Sequence, residues 1–264
     1  MSNDLQGFER FPFTHEGSTR DVFRKGSGPA VVVMTEIPGI TPQVIAFAER
    51  VVAEGFTVFM PHLFGPPGAP FTVGGVLSQI SRCCISHEFS VLAAHASSPI
   101  TDYLRALCRH AHEECGGPGV GAIGMCMTGN FALSLMVDPS VMAPVLSQPS
   151  LPFGLGKDRR AGLHLSPSDL VTVKKRCEAG VRVLGMRFTH DPLCPGERFE
   201  TLRRELGPSF EGIEIDSGPG NPWGLKRAAH SVVTNDLVDE EGHPTKKALN
   251  RVLGFFREAL LQPA

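Results

Sequence analysis

At 264 residues, with 42% apolar content and a formal charge of −2, the chain can bury a sizeable core in a single domain spanning 1–264. Its 25 Lys and Arg are scattered, which argues against a nucleic-acid or anionic-membrane binder and favours a small-molecule partner. The seven cysteines, at 83, 84, 108, 115, 126, 177 and 194, include no C-x-x-C pair, so reduced thiols are expected and neither a disulfide framework nor a structural zinc site.

Met1 to Gly7 lacks the basic start and apolar stretch of a signal peptide, and no later run is long enough to cross a bilayer; a cytoplasmic protein is expected. Phe8 to Phe13 and Thr19 to Arg24 read as short edge strands. Ala30-Val31-Val32-Val33-Met34-Thr35 is the continuous β-branched run of a central parallel strand covered on both faces, and it ends at Glu36-Ile37-Pro38-Gly39. Thr41 caps a helix through Glu54, with Pro42 in its first turn and Gly55 as its stop. Phe56 to Met60 is the next strand.

Pro61 to about Gly75 is dense in proline and glycine and fits no regular element. Val76 to Ser98 is expected to add one or two helices, so that 61–98 forms a small cap-like insertion over the strand ends. Thr101 to Glu114 is a helix. Its end, His110-Ala111-His112-Glu113-Glu114-Cys115, has metal-ligand residue types but reads better as a solvated last turn before Gly116-Gly117-Pro118. No metal or cofactor is expected.

Val120 to Ile123 has strand character and Phe131 to Met136 has apolar groups at helical spacing, so Cys126 falls in the turn between them. Gly124 and Gly129 flank it as small neighbours. A nucleophile on such a strained strand-to-helix turn stands clear at the strand end, with backbone N–H groups of the next helix aimed at it. The competing reading is a buried, inert cysteine in a glycine-rich turn. Further strands are expected at Met142 to Ser147, Val181 to Phe188 and Phe210 to Ile215. Helices are expected from Ser166 to Ala179, Gly196 to Leu206 and Thr245 to Leu261, the last burying Leu249, Val252, Leu253, Phe256 and Leu260 on one stripe. Strands alternating with helices imply an α/β fold with a mostly parallel central sheet and helices on both faces.

In open α/β sheets reactive groups gather beyond the carboxyl ends of the strands. Cys126 follows one strand, Asp191 follows a later one, and His230 lies in the loop after the last. The order nucleophile, acid, histidine is that of an α/β-hydrolase, with His230 taking the thiol proton and Asp191 fixing its tautomer. Asp191 before Pro192 could instead form a turn, and His190 and His243 compete with His230. Glu36, a carboxylate at a buried strand end, needs a partner or a shifted pKa, which points to a site role.

Glu36-Ile37-Pro38-Gly39-Ile40, Gly124-Met125-Cys126-Met127-Thr128-Gly129, Asp191-Pro192-Leu193-Cys194-Pro195 and Ala229-His230-Ser231 together resemble the dienelactone hydrolases, α/β-hydrolases with a cysteine nucleophile. The likeness runs from about Val31 to the last helix. It implies a Cys126, Asp191 and His230 triad, control of thiol ionisation by Glu36, and an oxyanion hole from the backbone N–H groups of Ile37 and Met127. The chain departs from the family at Thr128, where glycine is usual, and at Thr234, where enzymes that open dienelactones place a substrate-binding arginine. Arg82 is a match for a second such arginine, and Lys226 or Arg227 could compensate, against a surface-solvation reading of all three.

The expected activity is hydrolysis of a small ester or lactone by a monomer or homodimer. A non-catalytic or redox-sensing binding protein on a hydrolase scaffold, and a thioesterase or acyltransferase, stand as alternatives.

Overall fold

The computed structural model describes residues 5–72, 74, 75, 99–150 and 160–261. Its eight strands among those residues are β1 (Glu9–His15), β2 (Ser18–Gly26), β3 (Ala30–Met34), β4 (Thr57–Pro61), β5 (Val120–Met125), β6 (Val141–Ser147), β7 (Val183–Phe188) and β8 (Phe210–Ile215). They form one sheet in the order β1-β2-β4-β3-β5-β6-β7-β8. β1 with β2 and β2 with β4 pair antiparallel, and every other neighbouring pair is parallel. The apolar runs stop where this geometry requires. β3, β5 and β7 are buried along their whole length, as central parallel strands are.

The helices are α1 (Pro42–Ala53), α2 (Pro99–Cys115), α3 (Gly129–Leu135), α4 (Pro167–Glu178), α5 (Gly196–Leu206) and α6 (Pro244–Leu260). Alternation along the strands divides the core into two layers. Val31, Val33, Ile123 and Met125 face α1 and α6. Val32, Met34, Val120 and Ala122 face α2, α3, α4 and α5 on the other side. The caps are those the sequence predicts: Thr41 accepts from the Val44 N–H, and Ser166 accepts from the Asp169 N–H at 3.0 Å. The expected apolar stripe of α6 is buried.

The differences from the sequence reading are at element ends. α2 begins at Pro99 rather than Thr101, and β7 begins at Val183 because Val181 and Arg182 still belong to the turn after α4. Residues 61–72 are irregular apart from the end of β4; the helices expected between Val76 and Ser98, with Arg82, lie outside the described residues. The five cysteines among the described residues are free. No helix there is long and apolar enough to cross a membrane.

Candidate active site

Parallel strands deliver their carboxyl ends to one edge, and five of them bring polar groups there. β3 leads into Glu36, β5 into Cys126, β6 into Gln148 and Ser150, β7 into Asp191, and the loop after β8 into His230.

The turn after β5 is set by sterics. Cys126 has φ +57°, a left-handed conformation that costs a non-glycine residue about 1–2 kcal/mol. A Cβ on Gly124 would stand 2.0 Å from the Thr128 carbonyl oxygen, and one on Gly129 would stand 2.8 Å from Pro149 Cα, so both glycines are required by backbone crossing. Thr128 fills the place expected to hold glycine, and it is fully buried. Its Oγ1 accepts from the Met125 N–H at 2.8 Å and lies within donating distance of Met34 O (2.9 Å), Thr35 O (3.2 Å) and Met125 O (2.8 Å). The hydroxyl therefore ties the turn to the end of β3.

His230 Nδ1 and Asp191 Oδ2 are 2.6 Å apart, with the Asp191 side chain fully buried. The competing histidines are occupied elsewhere: His190 Nδ1 contacts Thr189, and His243 caps α6. Asp236 holds the His230 loop, its Oδ2 accepting from the N–H groups of His230 (2.8 Å) and Ser231 (2.9 Å). His230 Nε2 is buried and, among the described residues, outside strict hydrogen-bond geometry with any partner. Burial alone would lower the imidazole's affinity for a proton, but the Cys126 sulfur and then Asp191 outweigh it and hold His230 well above its ordinary value.

Glu36 is buried at 1% exposure and is ringed by neutral donors. Ser231 Oγ donates to Oε2 at 2.6 Å, Thr234 Oγ1 donates to Oε1, Asn235 Nδ2 donates to Oε1 at 3.2 Å, and Gln148 Nε2 lies 3.4 Å from Oε2. Burial pushes the carboxyl up, and although the bonds from Ser231 and Thr234 and the charge of His230 oppose it, the net direction is upward. Thr234, where the resemblance expects an arginine, thus serves Glu36.

A cavity of about 620 Å³ joins these groups, lined by Glu36, Ile37, Cys126, Met127, Ser150 and His230. Phe71 and Leu193, both exposed apolar residues, and Lys226 stand around it as well. The sequence reading missed Gln148, Ser150, Asn235 and Asp236. Gln148 carried a signal, as a polar residue immediately beyond an apolar strand. Among the described residues, no three His, Cys, Asp or Glu side chains are grouped to hold a metal ion, and His112 Nε2 instead contacts the Gly117 carbonyl.

A mostly parallel eight-stranded sheet of this order, covered by helices and carrying its polar groups at the carboxyl edge, is the architecture of an α/β-hydrolase. The model of the dienelactone hydrolase family matches residues 20–260, and the chain belongs to that family, as a hydrolase of esters or lactones. It is similar to a Saccharomyces cerevisiae protein described as "Putative carboxymethylenebutenolidase", at 26% identity over 195 residues, 71% of this chain and 67% of that one. The fold matches the crystal structure of a dienelactone hydrolase from Anabaena variabilis with a TM-score of 0.59 and 14% identity, over 97% of this chain and 100% of that one. It also matches a dienelactone hydrolase-like promiscuous phosphotriesterase from metagenomic libraries, with a TM-score of 0.61 and 16% identity, over 96% and 98% of the two chains.

Proposed function

We propose that this chain cleaves small esters or lactones through Cys126, with His230 as proton carrier and Asp191 as the acid that orients it. The observation that carries the reading is the 2.6 Å Asp191–His230 pair beside the cavity that Cys126 lines. In the first half-reaction the thiol proton passes to His230 Nε2 and Sγ attacks the carbonyl carbon. The alcohol or enol then leaves with the proton from His230, and an acyl-thioester remains. In the second, water gives a proton to Nε2 and attacks the thioester; the acid departs and the sulfur recovers its proton.

The backbone N–H groups of Ile37 and Met127, which both border the cavity, hold the developing oxyanion. Glu36 lines the same cavity with neutral hydrogen-bond donors among the described residues, and its protonation state biases whether His230 is protonated before substrate arrives. Phe71, Leu193, Ile37 and Met127 receive the apolar body of the substrate, and Lys226 is placed to meet an anionic group at the mouth. A thiol nucleophile favours activated acyl groups, so enol lactones and aryl esters turn over faster than matched alkyl esters.

Cys126→Ala is expected to lose about 10⁴-fold or more in kcat on such substrates. Wild-type protein quenched during turnover of an aryl ester should gain the mass of one acyl group on the peptide that contains Cys126. Full activity in Cys126→Ala would end this reading.

A further inference from the structure

Ser150 has no part in the steps above, yet its hydroxyl touches the reacting atom. Its Oγ lies 3.0 Å from Cys126 Sγ, it borders the cavity, and the residue is only 2% exposed. Among the described residues the sulfur is the partner of that hydroxyl. A buried hydroxyl without a partner is costly, so the contact is part of what makes serine acceptable here.

The position of Ser150 is fixed by the nucleophile turn itself. Its N–H donates to the Cys126 carbonyl at 3.0 Å, and its own carbonyl accepts from Asn130 Nδ2 at 2.8 Å, so both its peptide groups are fastened to the elements that carry the sulfur. One residue earlier, Pro149 presses against Gly129 in the space a Cβ would need. Two residues earlier, the Gln148 N–H is bound to Met186 O at 2.7 Å. The hydroxyl is therefore held at the sulfur by its own peptide groups and by the two residues that precede it.

We propose that Ser150 is a further catalytic residue: its hydroxyl donates a hydrogen bond to the Cys126 sulfur, fixing where the sulfur points and stabilising its negative charge once His230 has taken the proton. This rests on Cys126 being the nucleophile. The direction of the bond follows from chemistry, because a thiol is a weak donor and a thiolate can only accept. The same bond forms again when the sulfur leaves the acyl group in the second half-reaction.

The test compares Ser150→Ala, Ser150→Thr and Ser150→Val. Thr and Val have the same shape and differ by the hydroxyl, so the pair separates hydrogen bonding from packing, and Ala serves if a branched side chain prevents folding. Removing a hydrogen bond to a charged group is expected to displace the pH profile of Cys126 alkylation by iodoacetamide about one unit to higher pH. At any pH below the midpoint of the profile this is a tenfold loss of ionised sulfur. A less stabilised thiolate is intrinsically more nucleophilic, so about threefold of that loss survives in the alkylation rate and in kcat on an aryl ester, with KM little changed. Ala and Val should show the displacement and Thr should not. An unmoved profile in folded Ala and Val, or a profile displaced equally in Thr and Val, would overturn the proposal. Either result beside an inactive Cys126→Ala would remove only the role of Ser150; an active Cys126→Ala would remove the nucleophile instead.

Discussion

Replacing Thr128 should weaken the protein in a graded order that the structure sets. The side chain is fully buried, accepts one hydrogen bond from the Met125 N–H and donates its single proton to one of the three carbonyls within reach. Thr128→Val keeps the shape and removes the hydroxyl, leaving a buried N–H and a carbonyl short of a partner; at about 1–3 kcal/mol per stranded group the cost is about 3 kcal/mol. For a chain of this size that lowers Tm by roughly 6–12 °C. Thr128→Ser keeps both hydrogen bonds and loses one methyl, about 1 kcal/mol. Thr128→Gly, the residue expected from the family resemblance, loses the hydroxyl, the packing and backbone restraint, about 4 kcal/mol. Urea unfolding at neutral pH with a common m-value measures the series, and ester turnover on the same samples reports whether the turn still presents Cys126. If Val lies within about 0.5 kcal/mol of wild type, or Ser is as damaging as Val, the hydroxyl does not tie the turn to β3 and the reasoning is wrong.

Asp191→Asn keeps the shape of the pair but offers an amide to His230 Nδ1, favouring the wrong tautomer; kcat should fall by about 10³–10⁴ with little change in KM, and a loss below tenfold would deny Asp191 its orienting role. The His230 ring, followed by proton NMR, should titrate above its ordinary 6.5, and Cys126→Ala should bring the midpoint down, because the sulfur is the largest influence raising it. The stability this group contributes is full below pH 6.5 and is lost as pH rises through the folded value, so the unfolding free energies of wild type and His230→Gln should converge on going alkaline. Glu36 is raised from 4.5 in the folded chain, which therefore binds more protons than the unfolded chain just above that pH. Wild-type stability should fall as pH climbs from 4.5 through the folded value, and Glu36→Gln should flatten that slope; identical slopes in urea titrations would contradict the assignment.

The fold was legible because its signals are local. The Ala30–Met34 run, the Thr41 and Ser166 caps and the Gly196–Leu206 helix each carry their own reason to form, and alternation of strand with helix orders the sheet. The placement of Cys126 and Asp191 at one edge was legible for a related reason, that residues just after a parallel strand must lie at the carboxyl edge, and His230 could be placed there only as part of the loop that leaves β8. What surrounds them was not. The donors to Glu36 come from a turn whose shape depends on Asp236 reaching back to two N–H groups, and Gln148 reaches Glu36 from a left-handed backbone conformation with φ +34°. Neither arrangement leaves a periodic trace in sequence.

The two threonines that depart from the family pattern find a common explanation at the end of β3. Thr128 fastens the cysteine turn to the carbonyls of Met34 or Thr35, and Thr234, with Ser231, fastens the histidine loop to Glu36 two residues from the strand end. One strand terminus thereby holds both halves of the site through hydroxyl groups. A family arginine at 234 would set a charge against Glu36; threonine leaves the carboxyl among neutral donors, where burial outweighs them and drives it toward the protonated form. On this account the departures exchange a charged contact for a rigid, neutral one. They predict that Thr234→Arg would lower the Glu36 titration while loosening the His230 loop, an outcome that pairs a changed pH profile with a lower kcat rather than a simple gain in substrate affinity.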